Sequence, residues 1–220
     1  MKSSSQDKVD AFFARFKSLH FKKGKTILRA GEEPRDFFYL KKGFIRLYSL
    51  SKNGEDLTLI IFKPKDLFPI MWAINNTPSD YFLEAMTPVE LWRAPKSQFL
   101  AFIHQNPDVL FGLTSAILER LGGLLARMEY LVFGNAYAKV ASILVICARR
   151  FGKKEDSSVI IEVPLTHSDI ASLIGVTRET ASIEIKKIEN KGLLSRRGHL
   201  FVIKNLTRLK NQSLLNSNQE

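Results

Sequence analysis

The segment 166–203 constrains the fold of this chain more than any other. Thr166 precedes a helical run, and Asp169, three residues later, completes a variant of the capping box that begins a helix. Gly175 then interrupts the apolar pattern in a tight turn, and Thr177 is a natural N-cap for a second helix over Arg178–Lys191. Two capped helices joined through a turn glycine predict a helix-turn-helix.

Basic residues follow this motif closely. The second helix has an apolar inner face, and short strands over 193–195 and 200–203 flank the basic tip Arg196–His199, which predicts a β-wing. In the major groove, arginine can pair with guanine and glutamate can accept from cytosine, whereas lysines suit phosphate contacts. We expect DNA contacts from Thr166, His167, Thr177, Arg178, Glu179, Ser182, Ile183, Lys186, Lys187, Arg196, Arg197 and His199.

The charge balance agrees with a polyanionic partner. The chain has a formal net charge of +11, and residues 134–220 alone carry 14 basic and 8 acidic residues. A charged helix face is usually only solvated, and an anionic membrane would also attract a basic protein. Membrane binding requires a basic amphipathic helix, however, and the basic residues are concentrated around the helix-turn-helix. Double-stranded DNA is therefore the expected partner, with no membrane association.

The N-terminal half has a different pattern of apolar residues. After an amphipathic helix over Val9–Leu19, short apolar runs alternate with turn signals, of which Asn53-Gly54 is the strongest hairpin signal. This spacing predicts a closed or sandwiched β-domain. The expected strands are 26–29, 37–40, 44–50, 57–62 and 90–94, followed by a helix over 97–106.

A long helix begins at Pro107. Apolar residues recur along it at alternating spacings of four and three, which is the stripe of a coiled coil. This helix either packs on its own domain or pairs two chains, and the regularity favours a homodimer. The stripe consists of Leu110, Thr114, Ile117, Leu121, Leu124, Met128 and Leu131. A further helix over 135–151, a polar loop over 152–158 and a strand over 159–163 follow, which predicts domains at 1–106, 107–133 and 134–220.

Catalytic and metal chemistry are not expected. Cys147, the single cysteine, lies in an apolar run and predicts a buried, inert thiol. The sequence has no clustered metal ligands, no Ser/His/Asp constellation and no glycine-rich phosphate loop, so neither an enzyme of the cupin kind nor a resident cofactor is indicated. Residues 1–10 lack an apolar signal core, and we expect no membrane span and a cytoplasmic protein.

Two motifs together resemble the CRP/FNR family of bacterial transcription regulators. They are LTHSDIASLIGVTRETASIEIKKIENKGLL followed by SRRGHLFVI, and KKGKTILRAGEEPRDFFYLKKGFIRLYSLSKNGEDLTLIIFKPKDLF near the N-terminus. The resemblance covers nearly the whole chain. It implies an α+β fold with an N-terminal β jelly-roll sensor domain, a long dimerisation helix and a C-terminal winged helix-turn-helix, with RNA polymerase as a further candidate partner.

The sensor region departs from members that bind cyclic nucleotides. Pro69-Ile70 and Ser79-Asp80 replace the Gly-Glu and Arg-Ser pairs of those members, and no lysine or arginine lies between Lys65 and Arg93. A cyclic phosphate needs such donors, so binding of cyclic AMP in the usual mode is not expected. The N-terminal cysteines of the iron–sulfur branch are also absent. An unidentified neutral or aromatic effector would meet Phe62, Phe68, Met71, Trp72, Tyr81, Phe82, Leu124 and Met128, although core packing explains these residues equally well.

The recognition helix also departs from the family. Members that read a TGTGA-like half-site carry a second arginine where this chain has Ile183. Losing a bidentate base contact costs about 1–3 kcal/mol of discrimination, so an altered half-site is expected. The sequence thus predicts a homodimeric, sequence-specific regulator with an unidentified effector. The alternative is an effector-independent or architectural DNA-binding protein whose sensor domain is degenerate.

Overall fold

The computed structural model describes Ser3–Leu215, with side chains from Ser5 onward. The chain forms two compact units: the first comprises residues up to Leu50 together with Leu59–Gly123, and the second comprises Ser51–Thr58 together with the chain from Leu124 onward. The helices are α1 (Ser3–Phe13), α2 (Ile70–Asn75), α3 (Lys96–Gln105), α4 (Pro107–Phe133), α5 (Ala136–Phe151), α6 (His167–Ile174), α7 (Arg178–Asn190) and α8 (Leu206–Lys210).

Twelve strands complete the described part of the chain. They are β1 (Ser18–Phe21), β2 (Thr26–Leu28), β3 (Asp36–Lys42), β4 (Ile45–Leu50), β5 (Asp56–Phe62), β6 (Leu67–Phe68), β7 (Phe82–Ala85), β8 (Val89–Pro95), β9 (Gly152–Glu155), β10 (Ser158–Ile161), β11 (Leu194–Arg197) and β12 (Leu200–Ile203). The five N-terminal strands predicted from apolar runs are confirmed as β2, β3, β4, β5 and β8, within a few residues at their ends.

Two antiparallel sheets make the β-rich N-terminal domain, which belongs to the first unit except for the beginning of β5. Their strand orders are β1-β8-β3-β6 and β2-β7-β4-β5. One apolar cluster is built around Leu40, Leu83 and Leu91 between the strands, and a second packs α1 and α3 through Phe13, Phe37 and Phe99. This mixed architecture confirms the predicted α+β fold.

The first helix is shorter than the sequence indicated. The apolar spacing predicted a helix over Val9–Leu19, but α1 ends at Phe13 and Leu19 lies in β1. That part of the prediction is wrong because Ser18–Phe21 pairs with β8, opposite Val89–Trp92. The backbone hydrogen bonds of a sheet determine the conformation here, and a local apolar pattern does not reveal them.

The second unit packs α5, α6 and α7 against a sheet of order β11-β12-β10-β9. Val140, Leu144, Ile170 and Ile185 are all fully buried in this unit. The predicted polar loop over 152–158 is wrong in its first half, because Gly152–Glu155 forms β9 in register with Ser158–Ile161. The hydrogen bonds of this pairing hold a polar strand that has no apolar alternation of its own.

Three buried polar residues meet inside the second unit. Ser172 Oγ on α6 accepts from Thr58 N at 2.9 Å and lies 2.8 Å from Thr58 Oγ1. The guanidinium of Arg127 on α4 donates to the carbonyl oxygens of Thr58 and Leu173. Burial lowers the pKa of Arg127 and raises the pKa of the neighbouring Tyr130. These bonds tie the beginning of β5 and the C-terminal part of α4 to α6, the first helix of the helix-turn-helix.

Helix α4 carries an exposed apolar surface. Met128, Val132 and Phe133 are 61%, 71% and 81% exposed. By length and composition alone, α4 is apolar enough to cross a membrane, a property that the sequence analysis did not identify. Length and composition alone do not distinguish a membrane span from a leucine-rich helix that packs against protein.

Candidate nucleic-acid interface

The first helix of the motif is fixed at both ends by its own residues. Thr166 Oγ1 accepts from Asp169 N, and Asp169 Oδ2 accepts from Thr166 N at 2.7 Å, which is the predicted capping box. At the other end Gly175 adopts φ 65° and ψ 46°, a left-handed conformation that glycine adopts without steric cost. The chain can therefore turn directly into the second helix.

The second helix, α7, presents two distinct faces. Thr177 Oγ1 caps it by accepting from Thr180 N at 3.2 Å. Ala181, Ile185 and Ile188 are fully buried, as predicted. Arg178 and Glu179 are exposed on the first turn, and the Ile183 side chain is 56% exposed one turn later. An exposed isoleucine on an otherwise polar surface is available for an apolar contact.

The two lysines of α7 are not equivalent. The ammonium group of Lys187 lies 2.8 Å from Glu184 Oε1, and Glu184 is buried. Lys186 is more exposed and has only a long contact of 3.6 Å with Glu189. Removing Lys187 would leave a buried carboxylate without this partner, whereas Lys186 can be removed without that cost.

His167 joins α6, α7 and the wing. Its Nδ1 atom lies 2.8 Å from Ser182 Oγ, and its ring is parallel to that of Phe201 with a centroid distance of 6.4 Å. Burial lowers the pKa of His167; Arg196 and Arg178 lower it further, and Glu189 opposes them. Ser182 is consequently half-buried and engaged within the protein rather than fully exposed on the outer face.

The wing is a hairpin in which Arg197 pairs with Leu200 and Gly198 turns the chain. The sequence placed Arg196 and Arg197 in the tip, but both belong to strand β11. The Arg196 guanidinium lies 3.8 Å from the centroid of the Phe201 ring, and burial lowers the pKa of Arg196. Arg197 makes an exposed ion pair of 2.8 Å with Glu155 on β9, while His199 is exposed at the turn.

The remaining predicted residues lie on α4 and in the sensor domain. Five members of the α4 stripe are exposed and two are half-buried; the exposed ones are Leu110, Thr114, Ile117, Leu121 and Met128, and the half-buried ones are Leu124 and Leu131. Of the predicted effector residues, Phe62, Phe68 and Trp72 are buried in the core, Tyr81 and Phe82 are half-buried, and Met71 is exposed. Within the described residues, no three His, Cys, Asp or Glu side chains are grouped to hold a metal ion.

Comparisons with known proteins agree with this arrangement. Residues 18–106 match the model of the cyclic nucleotide-binding domain, and residues 138–212 match the Crp-like helix-turn-helix domain. A global nitrogen regulator of Nostoc sp. is 29% identical over 80% of this chain and 79% of its own length. A CRP-like cAMP-activated global transcriptional regulator of Mycobacterium tuberculosis is 22% identical over 91% of this chain and 90% of its own.

The chain belongs to the CRP/FNR family of transcription regulators. Its relatives are regulators of transcription and not enzymes. The solved structure of FixK2 from Bradyrhizobium japonicum shares the fold, with a TM-score of 0.80 and 20% identity over 92% of this chain and 99% of that one. The regulator therefore has a β-rich domain of the cyclic nucleotide-binding type, followed along the chain by a Crp-like helix-turn-helix domain.

Sequence reasoning missed the buried polar groups of this regulator. Ser172 and Arg127 are buried in helices, although both are residue types that are usually found at surface positions. Glu184 on α7 is a further buried polar residue that the sequence did not indicate, and it is the partner of Lys187. The one available signal is position, because Ser172 falls on the apolar face between Ile170 and Leu173.

Proposed function

We propose that two copies of this regulator pair through α4 and bind a near-palindromic operator, with one α7 helix in each of two successive major grooves. The exposed apolar surface of α4 carries the first half of this proposal. Besides the predicted stripe it includes Phe111, Leu118, Leu125, Val132 and Phe133. An exposed apolar surface of this length on a soluble regulator is typical of a dimer interface.

A dimer explains α4 better than a membrane span does. Arg120 on α4 forms an ion pair with Asp66 in the first unit, and Arg127 donates to carbonyl groups in the second. Both charges are engaged with folded protein, and their positions within the helix would be costly in a bilayer. We place the regulator in the cytoplasm with its DNA, and RNA polymerase is a candidate further partner.

Arg178, Glu179 and Ile183 are proposed to read bases. They are the exposed residues on the first turns of α7, which is the part of a recognition helix that contacts base edges. Lys186, Lys187 and the wing residues Arg196, Arg197 and His199 are proposed to contact phosphates, as are Thr166, His167 and Thr177. Because Ile183 has no hydrogen-bonding group, apolar contact with a thymine methyl replaces one arginine–guanine contact and alters the half-site.

The sensor domain is proposed to act without cyclic AMP in the usual mode. At Ser79-Asp80, the second of the two places where the chain departs from cyclic-nucleotide binders, Ser79 donates to Tyr81 O and Asp80 accepts from Trp72 Nε1. Both residues thus stabilise the domain itself. An effector of this domain would be neutral or aromatic. The second candidate is a regulator that needs no effector, and the burial of Phe62, Phe68 and Trp72 in the core favours it.

Selection of bound duplexes from a random DNA library, with no effector added, tests the function. Enrichment of a two-fold symmetric site with half-sites about one helical turn apart supports the proposal and favours effector independence. Enrichment only after addition of cell extract supports an effector. Salt-sensitive binding without any enriched site, with or without extract, contradicts it and supports an architectural protein. Cyclic AMP should leave the affinity for the selected site unchanged.

Two variants separate base contacts from phosphate contacts. Arg178→Ala should reduce affinity for the selected site by about 1–3 kcal/mol and relax one base position, with a smaller effect on random DNA. Lys186→Ala should weaken binding to both DNAs alike and reduce the salt dependence, and it avoids exposing Glu184. If Arg178→Ala weakened binding to selected and random DNA equally, as Lys186→Ala is expected to do, the assignment would be contradicted.

A further inference from the structure

The hydrogen bonds around Ser182 determine the tautomer of His167. Ser182 Oγ donates its single hydrogen to the carbonyl oxygen of Arg178, at 2.8 Å. The same Oγ lies 2.8 Å from His167 Nδ1 and must therefore act as the acceptor there. It follows that Nδ1 carries a hydrogen, and that in the neutral ring Nε2 has a lone pair and no hydrogen.

The other nitrogen of this ring is available to a ligand. His167 Nε2 makes no hydrogen bond with any residue between Ser5 and Leu215, and it is not among the buried polar atoms left without a partner. The ring itself cannot turn freely, because Ser182 holds one edge and Phe201 lies parallel to its face. Nε2 is thus an accessible atom on an immobilised ring.

The charges that face the ring come from two other elements. Arg178 and Glu189 approach from α7, and Arg196 approaches from β11. On its own helix, Asp169 is engaged by Thr166. Burial lowers the pKa of the His167 imidazole, and the two arginines lower it further against the opposing effect of Glu189, so the neutral form is favoured in the free protein.

A phosphate oxygen would reverse this balance. Phosphate oxygens only accept hydrogen bonds, so they repel the lone pair of a neutral Nε2 and bind Nε2–H of the cation. The negative charge of the phosphate also offsets the two arginines. Resting on the proposed function, we propose that His167 contacts an operator phosphate through Nε2 in its protonated form, so that DNA binding takes up one proton per subunit. The Nδ1 bond to Ser182 positions the ring for this contact.

The sign of the effect follows from linkage. DNA raises the pKa of His167 from its low value in the free protein, so protonation favours the complex and affinity falls as the pH rises between the two pKa values. Each subunit can contribute up to about a tenfold change per pH unit. We expect operator affinity at least tenfold weaker at pH 8 than at pH 6 for the dimer, at constant salt.

Two substitutions at His167 distinguish the roles of its two ring nitrogens. The Gln amide nitrogen can replace the Nε2–H donor but neither titrates nor carries a charge, so His167→Gln should show little pH dependence and should bind the operator more weakly than the wild type at pH 6. The Asn amide nitrogen can replace Nδ1–H only, so His167→Asn should bind weakly at every pH. His104→Gln, on α3 and outside the interface, is the matched control and should keep the wild-type slope. Circular dichroism checks that each variant is folded.

Calorimetry of operator binding in two buffers of different ionisation enthalpy measures proton uptake directly on the wild-type protein. Uptake that disappears in His167→Gln and persists in His104→Gln supports the proposal. The proposal is overturned if operator affinity still falls with pH in His167→Gln, or if this pH dependence disappears in His199→Gln instead. It is also overturned if NMR shows the His167 ring of the free protein as the Nε2–H tautomer. These results leave the proposed function intact, whereas failure to bind any site at any pH would contradict that function.

Discussion

Ser172 offers a direct test of the buried polar cluster in the second unit. Its Oγ is the acceptor for Thr58 N at 2.9 Å and the partner of Thr58 Oγ1 at 2.8 Å, and the two residues are 5% and 2% exposed. In Ser172→Ala, no water can readily replace this acceptor, so one buried N–H and one buried hydroxyl lose their partner. Each such loss costs about 1–3 kcal/mol.

A smaller opposing effect comes from helix propensity, because alanine is favoured over serine within a helix by about 0.5 kcal/mol. With both losses near the lower end of their range, the expected net destabilisation is about 1.5–3 kcal/mol. This corresponds to a decrease in Tm of about 4–10 °C for a chain of this size. The second unit should bear this loss, since both residues belong to it.

Urea unfolding followed by two signals can assign the loss to that unit. Both tryptophans, Trp72 and Trp92, lie in the first unit, whereas the far-ultraviolet circular dichroism also reports α5, α6 and α7. Hydrogen exchange gives a local readout, because the Thr58 amide should exchange faster in Ser172→Ala. Ser168→Ala, on the exposed face of the same helix, is the matched control and should change stability by less than about 0.5 kcal/mol.

A double-mutant cycle isolates the pair. Thr58→Val removes Oγ1 but keeps the amide bond to Ser172, so the cycle should give a coupling energy of about 1 kcal/mol. The reasoning is refuted if Ser172→Ala costs no more than Ser168→Ala. Unchanged exchange of the Thr58 amide in Ser172→Ala would refute it as well.

Two further predictions concern α4 and the thiol. Met128→Glu should weaken dimerisation more than a hundredfold, because burying an unpaired charge costs several kcal/mol. Sedimentation equilibrium measures the dimer dissociation constant, with Glu129→Gln as the control. If the Met128→Glu dimer were as stable as the Glu129→Gln dimer, the proposed interface would be contradicted. Burial raises the pKa of Cys147 to about 12, so its reaction with a disulfide reagent at pH 8 should be roughly a thousandfold slower than in urea. Equal rates in the folded and unfolded protein would contradict the buried position of this thiol.

The sequence by itself determined the helix-turn-helix because its signals are local. A capping threonine lies three residues from the backbone amide it accepts from, and the turn glycine stands next to the helix it ends, so the motif can be read within one segment. The apolar stripe of α4 is also local, since positions three and four apart share a face. These elements were predicted correctly to within a few residues.

Tertiary structure decided what depends on distant partners. Strand β9 is polar and β1 overlaps a helical pattern, and both are strands only because β10 and β8 supply their hydrogen bonds. The burial of Ser172 and Arg127 depends on Thr58, which is more than 60 positions away along the chain. A polar side chain in a helix is stable in a core only when the fold brings it a partner, and the sequence does not show which residue that partner is.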